Sequence, residues 1–392
     1  MHRPSKRLSV LIAISVLLGT FSFSYTVLGD SISVENGLSY VRQEMNMIIA
    51  DDPDCPWTGQ TAVAETLVLY DPDGNENGYI FNYQAGYGFM QISFADDAYY
   101  LISYGYQAPS SVSKLLKDEN IDPKEQHIIY NGSLSYLVDQ NGIYTDLYSK
   151  KQVQFTKQQA KADYKVFKAQ MKTEKANSKK NAVMPSVQML GGIGIPGGTP
   201  YAATVTSTYV TGADYNFLCD NDDFKGKQIN GVTVDGFCVD TSATNIVKYW
   251  AQKRGVSALY YSSDWWVFSS LYVNMKTNPS TGTQPNAILP GFQTYSRSTR
   301  GVSYVDCDSV NGAGGGLSFG LAKQIIDTQT PFLLSVYGYQ NIGRNHTMSC
   351  FGYANYSDGT QSLIFNDTNS KTWTFQWIGS LVLIQFDWIK WK

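Results

Sequence analysis

Cys238 and His346 are the two residues of this sequence best placed to do chemistry together. Cys238 stands in "GFCVDTSATNIVKYW", just ahead of a stretch with the apolar spacing of a helix. A helix N-terminus carries roughly half a positive charge and unpaired N–H groups, so it stabilises a thiolate and lowers the pKa of the thiol. His346 stands in "GRNHTMSCFGYAN" and is the only histidine of the second half. Since imidazole is the usual base for a thiol, the pair indicates nucleophilic chemistry.

The other cysteines offer less. Five cysteines occur, an odd number, so at least one thiol stays free or pairs between chains. Cys219 and Cys307 could form a disulfide, whereas Cys350 is expected to be a core residue although it shares a strand face with His346. No two cysteines form a CxxC pair, and the glycine-rich stretches lack the register of nucleotide-binding loops. The sequence therefore predicts no metal and no cofactor.

Helix and strand patterns in the second half would bring the thiol and the imidazole together. Ala243, Ile246 and Val247 give the 241–255 segment one apolar face. A second helix is predicted at 317–329, and strands follow it. The predicted strands are "PFLLSVYGY", "HTMSCFGYA", "QSLIFND" and "TWTFQWIG". An early helix packed on a late antiparallel sheet predicts an α+β fold.

The first half has a different character. Strand-like runs surround an Asp-Pro-Asp-Gly cluster within 66–84, which predicts a hairpin, and the pattern continues as a β-meander to 109. From 150 to 180 the chain is rich in lysine with little apolar periodicity, so we predict a basic, partly helical segment that proteases cut easily. These features place a β-rich domain with a basic linker at 30–185 and a second domain at 186–392.

The first residues are typical of an exported protein. Basic residues precede a short apolar run, which indicates a signal peptide at 1–29, with an uncleaved anchor helix as the alternative. The run is shorter than the ~20 residues of a membrane span. We expect a secreted or cell-surface protein with no membrane span after signal removal. The formal net charge of -3 gives no indication of nucleic-acid binding.

Three stretches resemble, in the same order, the papain-like secreted cysteine peptidases, in particular streptopain and the bacteriocin-processing, double-glycine peptidase-like enzymes. They are the Cys238 segment, the His346 segment and "LIFNDT". "YIFNYQAGYGFMQISFADD" is similar to streptopain-type propeptides. The resemblance implies a papain-like domain preceded by a propeptide that inhibits it, and a peptide or protein substrate. Cys238 would be the nucleophile, His346 the general base and later acid, and Asp367 or Asn366 the orienting residue, with Asp367 favoured.

The sequence departs from the family pattern at several positions. Papain-like enzymes place an oxyanion-hole Gln a few residues before the cysteine, where this chain has Val232; Gln228, or less favourably Asn230, is the candidate donor. His346 lacks the expected preceding Gly, and Asp240 sets an acid beside the thiol, where a negative charge would oppose ionisation. Three functions stay open: a secreted bacterial endopeptidase, a cell-wall peptidoglycan amidopeptidase, and an inactive surface-binding module of the same fold.

Overall fold

The computed structural model describes residues 32–392 apart from short gaps. The gaps are 53–54, 96–97, 133, 141, 149–150, 154–156, 182–204, 215, 235–236, 313–316, 338–344, 357–358 and 382. The predicted signal peptide and the predicted domain boundary at 185/186 lie outside the described residues. Ile32–Lys392 form one compact unit. No helix among the described residues combines the length and the apolar character that crossing a membrane requires.

Helices and strands both contribute to the described fold, so its class is α+β. The helices are α1 (Val34–Asp51), α2 (Ser111–Asp118), α3 (Lys157–Asn181), α4 (Cys238–Lys248), α5 (Asp264–Asn274), α6 (Pro285–Thr294) and α7 (Phe319–Asp327). The strands are β1 (Val63–Tyr70), β2 (Glu76–Tyr83), β3 (Gly86–Ala95), β4 (Ala98–Gln107), β5 (Ile128–Tyr130), β6 (Tyr136–Gln140), β7 (Ile143–Asp146), β8 (Lys151–Val153), β9 (Val205–Tyr209), β10 (Gln228–Ile229), β11 (Val232–Thr233), β12 (Tyr304–Asn311), β13 (Phe332–Tyr337), β14 (Asn345–Tyr356), β15 (Gln361–Asn366), β16 (Thr374–Trp377) and β17 (Leu383–Trp391).

The predicted hairpin and meander of the first half are confirmed. Strands β1 and β2 pair antiparallel, with Val68 opposite Tyr79, and β3 and β4 continue the meander. The hairpin turn is closed by Asp71, whose carboxylate accepts the N–H groups of Asp73 and Asn75 at 2.8 and 2.9 Å. Carboxylates that bond to the backbone in this way are typical of tight turns.

The first half is more helical than the sequence analysis predicted. Helix α1 begins at the N-cap Ser33 and buries Val41, Met45 and Ile48. Its packing against β2, β3 and β4 covers one face of the meander. These apolar side chains recur at spacings of four and three, which is the helical pattern.

The basic segment differs from its prediction in one respect. It is helical, as α3, but it does have an apolar face, formed by the buried Ala160, Tyr164, Phe167 and Met171. Their spacing of three and four residues was concealed by the many lysines between them. A protease needs extended backbone, so the part of the segment within α3 is a poor cleavage site.

One sheet runs through both halves of the chain. Its strand order is β12, β17, β13, β14, β15, β16, β4, β3, β2, β1, β5, β6, β7 and β8, with β9 paired to β14. The halves meet where β16 pairs antiparallel with β4, Thr374 facing Gly105. At this junction Phe375 stacks on Tyr104 with ring centroids 4.5 Å apart. A Cβ atom at Gly105 would lie 2.8 Å from the main-chain oxygen of Trp373, so the close approach of the two strands requires glycine.

The second half contains the predicted helix on a sheet. Strands β13 to β16 confirm the four predicted strands, and α7 confirms the helix at 317–329. The 241–255 helix is observed as α4, followed by a π-helical turn to Lys253. Helix α4 packs on β13 and β14, and its Ser242 hydroxyl donates to the main-chain oxygen of Thr347 at 3.0 Å. The helices α5 and α6 and the strands β12 and β17 were not predicted.

Candidate active site

Cys238 is the first residue of α4. The preceding N-cap residue, Phe237, is extended and offers no side-chain hydrogen bond to the first turn. The first N–H groups of a helix have no partner within the helix, so they are free to bind negative charge. The Sγ atom of Cys238 receives the main-chain N–H groups of Val239 in this turn and of Thr347 on β14. A thiolate at this position is therefore hydrogen-bonded by both elements.

His346 lies on β14 and reaches the same thiol. It pairs with Val336 of the neighbouring strand, which fixes its place in the sheet beneath α4. The side chains of Cys238 and His346 hydrogen-bond to each other. Burial opposes ionisation of both groups, but their bond and their opposite charges outweigh burial, so the pKa of Cys238 is lowered and the pKa of His346 is raised. Both shifts favour a thiolate–imidazolium pair.

The second ring nitrogen of His346 has a main-chain partner. Its Nε2 atom lies 2.9 Å from the main-chain oxygen of Asp367. A carbonyl oxygen only accepts hydrogen bonds, so Nε2 carries the hydrogen and Nδ1 is left for the thiol. The nearby carboxylate of Asp367 also helps to raise the pKa of the imidazole, after the larger effects of burial and Cys238. The imidazole is thus held in one tautomer and one orientation.

The contact differs from the prediction that a side chain of Asp367 or Asn366 orients the histidine. Asp367 is the residue that reaches His346, but the bonding atom is its main-chain oxygen. Its Oδ1 atom instead accepts the N–H of Asn369 at 3.0 Å. The chain leaves β15 at Asn366, so the alternation of side chains along a strand no longer applies to Asp367.

Asn366 holds the loop after β15 in place. Its Oδ1 atom accepts the N–H of Thr368 at 3.1 Å and the side-chain amide of Asn245 on α4 at 3.2 Å. Its own amide donates to the main-chain oxygens of Ser370 and Thr372. The residue is fully buried. Asn366 therefore fixes the backbone that carries the Asp367 oxygen and ties it to the helix of Cys238.

Asp240 lies in the first turn of α4 and does not act as the ordinary charged acid that the sequence suggests. Its side chain is 0% exposed. Burial is the main cause that raises the pKa of Asp240 well above its usual range, and the neighbouring Cys238 adds to it. Burial therefore disfavours a negative charge on this carboxyl beside the thiol.

The first half of the chain contacts the site through Tyr148. The aromatic ring of Tyr148 lies against the imidazole of His346, with ring centroids 5.2 Å apart. The tyrosine hydroxyl is 3.0 Å from the hydroxyl of Ser111 at the start of α2. Tyr148 follows β7 and belongs to the predicted propeptide region. Its ring therefore occupies space beside the histidine.

A second contact between the halves lies on α2. The ammonium group of Lys114 is 2.5 Å from the carboxylate of Asp222 and 3.7 Å from that of Asp220. It also donates to the main-chain oxygen of Asn369 at 2.9 Å. Asn369 belongs to the loop that positions His346. Lys114 thus links α2 to the segment of Asp220 and Asp222 and to the loop of Asn369.

Gln228, the predicted oxyanion-hole donor, lies on a small hairpin. It is exposed on β10 and pairs with Thr233 of β11. The turn between the two strands is Asn230 and Gly231, both with positive φ, which is the geometry that an Asn-Gly hairpin turn favours. Among the described residues, neither Gln228 nor Asn230 hydrogen-bonds to Cys238 or His346. The main-chain groups that hydrogen-bond to the sulfur are the N–H groups of Val239 on α4 and Thr347 on β14.

The remaining cysteines are free thiols. Cys219 and Cys307 do not pair: Cys219 contacts the Lys248 ammonium at 3.1 Å, and the Sγ atom of Cys307 accepts from Gln293 at 3.3 Å. Cys350 is fully buried, and burial raises its pKa to about 12. An apolar burial of this kind makes a thiol inert. Cys350 is therefore a core residue, as predicted.

The described side chains form no metal site. No group of three or more His, Cys, Asp or Glu among them could hold a metal ion. The other described histidine, His127, stacks on Tyr70 with ring centroids 4.1 Å apart. The arrangement is suited to nucleophilic chemistry: the Cys238 thiolate can attack an electrophile, and the His346 imidazolium can donate a proton to the leaving group.

Comparison with known proteins adds no identification. No protein-family model matches the chain, and no curated protein matches it significantly. The resemblance to papain-like peptidases therefore depends on the motifs and on the geometry of Cys238 and His346.

Two residues near the site were missed from the sequence. Asn245 bridges Asn366 and the backbone of Cys219, accepting the N–H of Cys219 at 2.7 Å. A signal for it existed, since a polar residue seven positions after Cys238 lies on the same helical face. Tyr148 had no such signal, because only the tertiary fold brings it to His346.

Proposed function

We propose that this chain is a secreted bacterial cysteine endopeptidase of the papain-like type, made as a zymogen. The observation that carries the proposal is the hydrogen-bonded pair of Cys238, at a helix N-terminus, and His346, on the strand beneath it. Helix-borne thiol and strand-borne imidazole are the arrangement that the family resemblance implies. The lowered pKa of the thiol and the raised pKa of the imidazole are what a thiolate nucleophile needs at neutral pH.

The reaction would be acyl transfer to sulfur. The Cys238 thiolate attacks the carbonyl carbon of the scissile peptide bond, and the carbonyl oxygen becomes an oxyanion. Main-chain N–H groups at the start of α4, beginning with that of Cys238, are suited to stabilise this charge. His346 donates its proton to the leaving amine, then removes a proton from water. The resulting hydroxide attacks the thioester and releases the acid product, and the thiolate–imidazolium pair forms again.

The backbone of Asp367 would support this cycle. The imidazole changes its protonation at Nδ1 while Nε2 keeps its hydrogen bond to the main-chain oxygen. This bond prevents rotation of the ring, and the partial negative charge of the carbonyl stabilises the imidazolium. The role that the family gives to a side chain would thus belong to a peptide group.

The zymogen part of the proposal is supported by Tyr148 and Lys114. Both belong to the first half, and they contact His346 and the loop of Asn369 respectively. A substrate must approach the side of the imidazole and thiol that faces away from the core, and the ring of Tyr148 occupies part of the surroundings of His346. The first half would therefore restrict access to the site.

Cleavage of the linker would not be enough for activation. The sequence favours cleavage between about Lys172 and Gly198, and a cut in the first part of this range would have to occur within α3. We expect the cut after Asn181. After such a cut the two halves would still be joined by the pairing of β4 with β16 and by the stack of Tyr104 on Phe375. Activation would then require the first half to be displaced or degraded.

Labelling with an epoxide-type thiol inhibitor tests the function. The purified chain is incubated with the inhibitor before and after limited proteolysis, and the labelled residue is found by mass spectrometry. We expect the label on Cys238, with faster labelling after the first half is removed. Cys238→Ala and His346→Ala should each reduce hydrolysis of casein by several orders of magnitude. Retention of a tenth of the activity in either variant would contradict the assignment.

A parallel assay on purified peptidoglycan separates the alternatives. Hydrolysis of peptidoglycan but not of casein, dependent on Cys238, would identify a cell-wall amidopeptidase. Lack of labelling and of both activities after removal of the first half would identify an inactive surface-binding module.

A further inference from the structure

Asp240 is a buried acid next to the proposed nucleophile, and its surroundings are unusual. One carboxyl oxygen, Oδ1, accepts the hydroxyl of Thr277 at 3.0 Å. The Thr277 hydroxyl is in turn 2.6 Å from that of Thr283. Thr277 has only one hydroxyl hydrogen, so Thr283 is the donor of this second bond. The other carboxyl oxygen, Oδ2, is buried with no hydrogen-bond partner among the described residues.

Nothing among the described residues compensates a negative charge on Asp240. The titratable groups that face it are Cys238 on the same helix and Tyr272 on α5, and no cation faces it. Ionised Cys238 would be a second negative charge. A buried carboxylate without a cationic partner is strongly disfavoured and keeps its proton instead. The geometry therefore requires a neutral carboxylic acid at this position.

The contacts of Asp240 connect α4 to the polypeptide after α5. Thr277 follows that helix, and its N–H bonds to the main-chain oxygen of Tyr272 at 3.0 Å. The Asp240–Thr277 bond is thus an anchor between the first turn of α4 and the end of α5. The anchored turn contains Val239, whose N–H group bonds to the Cys238 sulfur.

We propose that Asp240 is a positioning residue that works as an uncharged acid: it anchors the first turn of α4 to Thr277 and keeps a second negative charge away from the Cys238 thiolate. The inference rests on the proposed role of Cys238 as the nucleophile. It concerns the protonation of Asp240, the residue beside the thiol that departs from the family pattern. A change to a neutral residue with the same acceptor oxygen should preserve the site.

The pH dependence of unfolding shows whether native Asp240 carries a proton. An unfolded Asp ionises near pH 3.9, so above that pH unfolding of the wild type releases a proton that the native state holds. The unfolding constant of the wild type relative to Asp240→Asn should then rise ~tenfold per pH unit, up to the native pKa of Asp240. Urea unfolding at a series of pH values measures this ratio. The exposed Asp308, changed to Asn, is the matched control for loss of a surface carboxylate, and the Asp240 effect is judged against it.

The positioning role of Asp240 is tested by the reactivity of the Cys238 thiol. Iodoacetamide alkylation of Cys238 is followed by peptide mass spectrometry over a pH series, because Cys55 and Cys307 are also partly exposed. Asp240→Asn should leave the pH midpoint of alkylation within a few tenths of a unit. Asp240→Leu removes the acceptor for Thr277 and should raise the midpoint or slow alkylation several-fold.

Two results would overturn the inference. A pH-independent ratio of unfolding constants, or a midpoint about one unit lower in Asp240→Asn, would show that native Asp240 is ionised. Alkylation of Asp240→Leu at the wild-type rate and midpoint would show that the anchor does not position the thiol. Both measurements are independent of peptide hydrolysis, so they stand or fail separately from the proposed peptidase activity.

Discussion

The Nε2 atom of His346 lies 2.9 Å from the main-chain oxygen of Asp367, so a peptide group orients the imidazole that bonds to Cys238. A main-chain acceptor survives any substitution of its own side chain. The position of this oxygen depends on Asn366, whose four hydrogen bonds hold the loop and connect it to α4. The main chain of Asp367 therefore orients the imidazole, and the side chain of the preceding residue, Asn366, supports that main chain.

Asp367→Ala tests the main-chain contact. The acceptor oxygen remains, whereas the carboxylate that helps to raise the pKa of His346 and accepts the Asn369 N–H is lost, so kcat/KM should fall by roughly tenfold, which corresponds to about 1.4 kcal/mol. Loss of an orienting side chain costs far more, about 10⁴-fold in the serine-protease example. Steady-state hydrolysis of a peptide substrate distinguishes the two. A loss of the larger size would return the orienting role to the carboxylate.

Asn366→Ala should mainly reduce stability. The substitution leaves buried main-chain groups of Thr368, Ser370 and Thr372 without a partner, and each unsatisfied group costs about 1–3 kcal/mol. Urea unfolding measures the loss. Asn369→Ala, on the same loop, is the control and should cost less, because its side chain makes one bond to the main chain, at Asp367, and one long bond of 3.5 Å to Asn221. Equal stability of Asn366→Ala and wild type would contradict the support role.

Tyr148→Ala tests the covering of His346. Removing the ring opens the space beside the imidazole, so the intact chain should be alkylated at Cys238 several-fold faster. Tyr87→Ala, an exposed tyrosine of the same half, is the control and should not change the rate. Tyr148→Phe keeps the ring but loses the contact with the Ser111 hydroxyl, and should lie near wild type. An unchanged rate in Tyr148→Ala would show that the ring does not limit access.

Lys114→Met tests the charged contact between the halves. Burial raises the pKa of Asp220, against the opposing effect of the Lys114 charge, so Asp220 takes up a proton at higher pH than an ordinary carboxyl. As the pH falls through that raised value, the attraction to Lys114 weakens in the wild type. The variant should therefore be alkylated a few-fold faster at neutral pH, with a ratio to wild type that becomes smaller in acid. Lys117→Met, exposed on the same helix, should show no difference at any pH.

The thiolate–imidazolium pair predicts a defined pH window. The lowered pKa of Cys238 makes the thiolate available as pH rises, and the raised pKa of His346 keeps the imidazolium until pH rises further. The stabilisation that His346 gains in the fold is complete below its unfolded pKa and is lost as pH rises through the raised value. That of Cys238 is lost as pH falls through the lowered value.

The window is measured from the ultraviolet absorbance of the thiolate, as the difference between wild type and Cys238→Ser over a pH titration. His346→Ala should move the ionisation of Cys238 upward, because the hydrogen bond and the charge that lower its pKa are removed. Ionisation at the same pH in both proteins would show that the helix N-terminus alone activates the thiol.

The sequence predicted those elements whose own residues carry a periodic pattern. Strands β1 to β4 and β13 to β16, with the helices α4 and α7, follow from alternation, helical spacing and turn residues. Helix α5 did not, because it buries Phe268 and Leu271 while Val273 stays 55% exposed, so its apolar residues form no single stripe. Edge strand β12 alternates weakly, since five of its eight side chains are exposed.

The sequence likewise predicted part of the site. Cys238 and His346 could be chosen from residue type and from the elements that carry them. The contact of Asp367 could not, because it uses a carbonyl oxygen that every residue has, and its placement depends on how the chain turns after β15. The proposed neutral state of Asp240 could not be predicted either, because the proposal depends on burial, which the sequence does not reveal locally.

The shared sheet has a consequence for the solubility of a shortened chain. Strand β16 is flanked by β15 on one side and β4 on the other, and all four of its residues are buried. Without the first half, Phe375 and Trp377 would lie on an open edge of the sheet. Its unpaired N–H and C=O groups could then pair with a strand of another molecule. Such an apolar edge favours self-association and fibril-like stacking. We therefore expect the first half of this protein to protect the second half against aggregation, whatever its effect on the thiol.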